Sequence, residues 1–407
     1  MALVSSEMPS LSVIDGIRLG TVSAGIKTPG RKDLVVFELS PQTTLAAVFT
    51  RNAFCAAPVQ IAKRNLQTNE ATRYLLINTG NANAGTGGKG LEDALALCGV
   101  VADLKGVAVG AVLPFSTGVI GEYMPVEKIS TAIPLAIEAM KSDGWLDAAE
   151  GIMTTDTRPK GFSSSFEFGG QTVTVTGIAK GAGMIKPNMA TMLAFIATDA
   201  NVEQSLLQKI CTEIVGRTFN CITVDGDTST NDACVLVATA TAGNRVLKNY
   251  TDPMYLPLVE IIEKVCLNLA QALVKDAEGA SKFVAISVLG GLTKHECFQV
   301  AYTIAESQLV KTALFASDPN WGRVLAAIGR TGVPALNVDL IEVYIGDILI
   351  VEKGQRAMSY TEEKGQKAME AEELEIQVDL KRGKSEATVW TSDLSFEYVR
   401  INAEYRT

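Results

Sequence analysis

The chain contains a single histidine, His295. A metal site built from several imidazoles is therefore excluded. A Ser-His-Asp triad would have to use His295, which lies in the polar run Lys294-His295-Glu296 and reads as an exposed loop residue. Cysteine pairing signals are also missing. The seven cysteines are odd in number, form no CxxC pair and sit mostly inside apolar runs, as Cys266 does in Val265-Cys266-Leu267. They read as buried free thiols in a reducing compartment. Dense positive charge is scarce too. Net charge is −9, and the one basic run, Lys381-Arg382-Gly383-Lys384, reads as a turn, so a nucleic-acid partner is not expected. No stretch of about 18 uncharged apolar residues occurs, so no membrane span is expected. Residues 1–16 carry neither a basic segment leading into an apolar one nor an Arg-rich tract, and the cytoplasm is the expected location.

What the chain does have is length and a normal globular composition. At 407 residues it is long for one compact core, and two lobes are expected. Leu34-Val35-Val36-Phe37 and Tyr74-Leu75-Leu76-Ile77 read as buried strands. So do Met192 to Ala197, Cys234 to Ala238 and Phe283 to Leu289, while Thr172 to Thr176 alternates as a half-buried strand. Leu206, Leu207, Ile210, Cys211, Ile214 and Val215 form a helical stripe. Ile261, Ile262, Val265, Cys266, Leu269 and Leu273 form a second, with Asp252-Pro253 as its start signal. Pro125 opens a third helix with Ile129, Ile133 and Ile137. Val338 to Val351 reads as a hairpin turning at Gly346-Asp347, and Leu374 to Leu380 with Ala387 to Thr391 as another. Between them, Glu352 to Glu372 reads as an exposed helical stretch. The class is α/β or layered α+β.

Several stretches fit neither core nor ordinary surface, because each mixes glycine with Thr, Asn or Asp, which costs backbone entropy and demands hydrogen-bond partners. Asn78 to Gly88 is a Gly-rich loop after a strand. It lacks both the GxGxxG and the GxxxxGK[ST] spacing, so a structural loop and a ligand loop are equally open readings. Pro114 to Gly121 allows close backbone approach, and a backbone N–H beside a hydroxyl makes an oxyanion hole, although a structural turn is the simpler reading. Met153-Thr154-Thr155-Asp156-Thr157 alone reads as a helix-cap region. In Gly177 to Leu193 a Gly-Ala-Gly loop runs through Pro187-Asn188-Met189-Ala190 to Thr191, which opens an apolar strand. A threonine there is usually structural, yet a small residue followed by Thr also fits self-cleavage. The Thr191 hydroxyl can attack the Ala190 carbonyl, and the α-amine freed by hydrolysis can then serve as its base, so that no histidine is needed. The spaced aspartates of Val224 to Asp232 can bind Mg²⁺ or Ca²⁺, but hydrogen-bonded structural carboxylates are the preferred reading and no metal is assigned.

Lys180-Gly181-Ala182-Gly183-Met184-Ile185 and Pro187-Asn188-Met189-Ala190-Thr191-Met192-Leu193 resemble the bifunctional ornithine acetyltransferase/glutamate N-acetyltransferase family of arginine biosynthesis. Thr223-Val224-Asp225-Gly226-Asp227-Thr228 and Asp318-Pro319-Asn320-Trp321-Gly322-Arg323 support the resemblance, which runs from Ser23 to Thr407. The resemblance implies a self-processing N-terminal-nucleophile-type acetyltransferase fold, with a topology distinct from that of the classical N-terminal nucleophile hydrolases. It implies cleavage between Ala190 and Thr191, giving an alpha chain of residues 1–190 and a beta chain of residues 191–407. The two would assemble as a heterotetramer of two alpha and two beta chains. Thr191 is then the nucleophile, Thr117 and Gly118 the oxyanion hole, and Thr154, Lys180, Glu278, Asn402 and Thr407 the substrate contacts. Glu278 would face a substrate ammonium and Lys180 a carboxylate. The reaction is acetyl transfer from N-acetylornithine to glutamate through an acetyl-Thr191 intermediate. No cofactor is implied, and acetyl-CoA is a further co-substrate in the bifunctional reading. The rivals are a monofunctional transferase that makes no use of acetyl-CoA, a related self-processing amidohydrolase or aminopeptidase, and a binding protein that holds nucleotide phosphates on the Asn78–Gly88 loop.

Overall fold

The computed structural model describes residues 8–68, 71–186 and 192–404. Its strands, in chain order, are β1 (Ile17–Val22), β2 (Leu34–Leu39), β3 (Thr44–Phe49), β4 (Tyr74–Asn81), β5 (Val112–Val119), β6 (Lys160–Phe168), β7 (Gln171–Lys180), β8 (Leu193–Thr198) and β9 (Ala233–Ala238). The C-terminal third adds β10 (Phe283–Gly291), β11 (Glu342–Ile345), β12 (Ile348–Glu352), β13 (Gln355–Arg356), β14 (Glu373–Asp379) and β15 (Ser385–Ser392). The helices are α1 (Ala57–Asn65), α2 (Gly87–Lys105), α3 (Val126–Glu138), α4 (Trp145–Gly151), α5 (Gln204–Arg217), α6 (Tyr255–Lys275), α7 (Lys294–Ala305), α8 (Gln308–Phe315), α9 (Trp321–Gly329), α10 (Glu362–Met369) and α11 (Phe396–Ala403).

The first two sheets stack between helices. One has the order β1-β2-β4-β5 and the other β3-β9-β8-β7-β6. Alternate residues of β2 explain the layering. Leu34 and Val36 join the cluster formed with α2 and α3, while Val35 and Phe37 join the cluster between the sheets. On the far side, Ala194 and Ile196 of β8 pack with the apolar stripes of α5 and α6. A strand buried on both faces must be apolar throughout, which is why β2, β4 and β8 read as continuous hydrophobic runs. Phe195 holds the two sheets together, with ring centroids 5.4 Å from Phe37 and 5.2 Å from Phe115. Each such fully buried ring contributes on the order of 1.5–3 kcal/mol.

The five-stranded sheet draws β3, β6 and β7 from residues before 190 and β8 and β9 from residues after it. β7 and β8 are antiparallel neighbours, with Lys180 opposite Leu193, and β8 runs parallel to β9. The end of β7 and the starts of β8 and β9 therefore lie together at one edge.

The C-terminal sheet has the order β13-β12-β11-β14-β10-β15. Its Val284, Ile286 and Val288 pack against Val300, Ala301 and Ile304 of α7 and Val324 and Ile328 of α9. Three sequence expectations need correction here. β14 and β15 do not pair as a hairpin. β10 lies between them, parallel to β14 and antiparallel to β15, because its all-apolar inward face takes the central position. The Glu352–Glu372 stretch is helical only over α10, with β13 before it. α6 likewise starts later than the Asp252-Pro253 signal suggested. Asp252 accepts a hydrogen bond from the Met254 N–H at 3.0 Å and closes a turn ahead of the helix.

Candidate active site

A cavity of about 270 Å³ opens where β5, β7, β8 and β9 meet. Thr117, Gly118, Thr154, Lys180, Glu278 and Asn402 all line it. Six positions singled out from sequence, spread over some 285 residues of chain, thus share one enclosure. Ala190, Thr191 and Thr407 lie outside the described residues. The chain on both sides of residues 187–191 lines the cavity, with Gly183, Met184 and Ile185 before them and Met192 and Leu193 after.

Thr117 and Gly118 belong to a strand, not to the turn that is the simpler sequence reading, and they sit near the end of β5. Their ladder with β4 is irregular between Gly80 and Asn81, the kind of break that re-aims backbone groups beside an active site. Gly118 has φ +135°, and a Cβ there would lie 2.3 Å from the Gly80 carbonyl carbon. Only glycine fits. Lys180 Nζ donates to Thr117 Oγ1 at 3.2 Å, so a buried ammonium stands beside the candidate oxyanion hydroxyl. Burial lowers the Lys180 pKa, and the carboxylates of Asp156, Asp232 and Glu278 counter that shift.

Thr154 occupies a turn between α4 and β6, not a helix cap. Its N–H donates to Asp156 Oδ2 at 2.9 Å, and its carbonyl accepts from Arg31 at 2.8 Å. Asp156 also accepts from the Gly181 N–H at 2.7 Å and from Lys160 Nζ at 2.6 Å. Lys160 Nζ reaches on to Asp276 Oδ2 at 2.5 Å, and Asp276 takes the Thr157 N–H. All three charged side chains are buried. Burial alone would raise the Asp156 pKa, but the ammoniums of Lys160 and Lys180 hold its carboxyl well below the usual carboxylate range. This ion group fixes the Thr154 turn, the Lys180–Gly181 strand end and the approach to Glu278 to one another.

Glu278 is held by its own N–H, which donates to the Ala182 carbonyl at 2.9 Å. Its Oε2 accepts from Asn402 Nδ2 at 2.7 Å. A Cβ at Gly183 would lie 2.5 Å from the same oxygen, so the Gly-Ala-Gly loop is shaped around this carboxylate. Asn402 arrives on α11, which is capped by Ser395 and anchored where Ser395 Oγ donates to the Gly279 carbonyl at 2.7 Å. Tyr398 of α11 donates to Asp225 Oδ2 at 3.1 Å, and Asp225 also accepts the Met184 and Ile185 N–H groups. Asp225 is thereby committed to structure. Asp232 is different. It lines the cavity fully buried, its Oδ2 has no partner among the described residues, and burial pushes its pKa well up.

Asp156, Lys160, Asp276 and Asp232 carry no site role in the sequence reading. Asp156 and Asp232 lie inside the stretches set apart there, but nothing local separates a buried partner from a turn residue. The Asn78–Gly88 stretch, by contrast, is not one loop, since Asn78–Asn81 end β4 and Gly87–Gly88 open α2, and its side chains are spent on neighbouring protein groups. Asn81 donates to the Glu122 and Tyr123 carbonyls, Asn83 to the Gly90 carbonyl, and Thr86 Oγ1 to Asn83 Oδ1. Asp318–Arg323 starts α9, where Asn320 caps the helix by accepting the Arg323 N–H.

This geometry is accompanied by extensive sequence similarity. The ArgJ family model matches residues 18–407. The chain belongs to the ArgJ family. It is 53% identical over 407 residues to the arginine biosynthesis bifunctional protein ArgJ of Pseudomonas fluorescens strain Pf0-1, covering all of both chains. The protein of the same name from Methylococcus capsulatus strain Bath is 52% identical over 397 residues, 98% of this chain and 97% of that one. Among solved structures, the ArgJ from Bacillus halodurans superposes with a TM-score of 0.50 at 37% identity, covering 51% of this chain and 97% of the solved one. The mixed α/β architecture is that of the ArgJ family. No helix among the described residues is long and apolar enough to cross a membrane.

Proposed function

We propose that this ArgJ-family chain transfers an acetyl group from N-acetylornithine to glutamate, and also acetylates glutamate from acetyl-CoA. The observation that carries this reading is the convergence of Thr117, Gly118, Lys180, Glu278 and Asn402 on one cavity that Gly183–Ile185 and Met192–Leu193 also line. Thr191 is the nucleophile, released by cleavage after Ala190 into an alpha chain of residues 1–190 and a beta chain of residues 191–407. Support comes from the Bacillus halodurans chain, which spans about half of this one along nearly its whole length. A polypeptide of that size is what such a cut leaves.

The threonine oxygen attacks the acetyl carbonyl of N-acetylornithine, and its proton passes through the freed α-amine to the departing ornithine nitrogen. As the C–N bond breaks, an acetyl ester forms. Glutamate's amine then attacks that ester, the C–O bond breaks, and the proton returns to the threonine oxygen. Negative charge on the carbonyl oxygen is met by the Thr117 hydroxyl and the Gly118 N–H, with the Lys180 ammonium behind Thr117. Glu278, steadied by Asn402, receives the ornithine side-chain ammonium. Thr154 and Thr407 complete the substrate contacts. The assembly is a heterotetramer of two alpha and two beta chains acting in the cytoplasm.

The test supplies purified protein with N-acetylornithine and glutamate and without CoA, and follows products by mass spectrometry. Equal amounts of ornithine and N-acetylglutamate are expected. Ornithine with free acetate and no N-acetylglutamate would make the protein a hydrolase.

A further inference from the structure

A second cavity, of about 220 Å³, adjoins the first along the oxyanion strand. It is lined by Lys27, Thr28, Arg31, Thr79, Gly80 and Ile401, and it meets the first cavity at Gly118, Val119, Thr154 and Thr155. None of the charged groups that suit amino-acid ends, Lys180, Glu278 or Asp232, lines it. We propose that this cavity receives the thioester-proximal arm of acetyl-CoA, so that the two acetyl donors reach one oxyanion hole from two adjoining cavities. The proposal rests on the acetyl-CoA reading given above.

Three observations carry it. First, both donors must present their carbonyl to the same hydrogen-bond donors, and Gly118 lines both cavities. The approach is close because Gly80 and Gly118 face each other without side chains. A Cβ at Gly80 would lie 3.1 Å from Lys27 Cβ, and one at Gly118 would strike Gly80 itself. Second, size selects part of a ligand. Whole drug-sized ligands fill roughly 300–1,000 Å³, so this cavity takes the end of a long arm and leaves the remainder outside. Third, the charge at the mouth suits what remains outside. Lys27 and Arg31 are exposed there. The one carboxylate in the lining, Asp33, is buried and bound to the Ala24 and Ile26 N–H groups at 2.5 and 2.7 Å. A rim of that sign matches the phosphates of CoA and not a free amino-acid ammonium. In the reaction the nucleophile's oxygen attacks the thioester carbon and the C–S bond breaks. The sulfur leaves as thiolate and takes the hydroxyl proton, and the acetyl ester is the same intermediate that N-acetylornithine gives.

The test measures kcat/KM for glutamate acetylation from each donor, in wild type, Lys27→Glu and Thr28→Trp. Each variant is expected to lose about tenfold or more with acetyl-CoA, by charge reversal or by filling the arm's path, while exchange from N-acetylornithine stays within about twofold. Preserved exchange also certifies the fold. Equal losses with both donors, or unchanged acetyl-CoA kinetics in both variants, would overturn the assignment. A wild type that exchanges acetyl groups but never turns over acetyl-CoA would instead remove the thioester reading itself, and the cavity's role with it.

Discussion

The catalytic sandwich and the C-terminal sheet are built from similar apolar strands, yet they treat irregularity in opposite ways. The six-stranded C-terminal sheet alternates cleanly in β14, where Leu374, Ile376 and Val378 point inward between more exposed neighbours. None of the site positions lies on its strands. The sandwich instead gathers its departures at one edge. These are a glycine at φ +135° near the end of an edge strand, a broken ladder at Gly80, a buried ion group and a carboxyl oxygen on Asp232 without a partner among the described residues. Such departures are costly, and they are retained where they hold reacting groups in place.

The largest effect is expected at the proposed nucleophile. Thr191→Ala is expected to abolish both chain cleavage and acetyl transfer, read by gel mobility and by the exchange assay. An uncut chain with residual exchange above background would place the nucleophile elsewhere. Next is the ion group. Asp156→Asn leaves Lys160 with one carboxylate and turns an amide N–H₂ toward either the Thr154 N–H or the Gly181 N–H and Lys160 ammonium. The expected loss is about 3 kcal/mol in denaturant unfolding, with a large fall in kcat. A stable variant with normal kcat would reduce these charges to inert core.

Glu278→Ala is expected to act on one substrate end only, the proposed ornithine contact. Removing a buried, hydrogen-bonded carboxylate from an ammonium typically costs roughly 2 kcal/mol or more, a rise of about thirtyfold in KM for N-acetylornithine, with cleavage intact. An unchanged KM would remove Glu278 from the ornithine contact and make its bond to Asn402 a docking contact for α11.

The contrast between the regions also explains what was legible in the sequence. β2, β4 and β8 were readable because strands buried on both faces need continuous apolar runs. Thr117 and Gly118 stand out in the sequence as a close-approach stretch, but a turn is the simpler reading there and their oxyanion role comes through the family resemblance. Glu278, Asn402 and Lys180 came only through the family resemblance, since each is an ordinary polar residue until folding brings them to one cavity. The Asp156–Lys160–Asp276 group was not readable. Its members lie 116 residues apart at the widest bond, and no local pattern records a pairing over that distance. The misplaced β14–β15 hairpin failed similarly. Short loops favour direct pairing, and only the whole sheet reveals that β10 takes the place between them.

The smallest expected effect tests the quiet side of the comparison. Asp318–Arg323 is one of the runs that support the family resemblance, and a reading by resemblance alone would give it a catalytic role. Its Asn320 side chain accepts the Arg323 N–H at 3.3 Å and caps α9, which packs Val324 and Ile328 into the C-terminal core. Asn320→Ala should therefore cost about 1 kcal/mol in unfolding, the usual loss for a helix N-cap. KM and kcat for both substrates should stay within about twofold of wild type. A tenfold fall in kcat without loss of stability would mean that the run acts on the chemistry from outside the cavity, and the division between a catalytic edge and a supporting sheet would no longer hold.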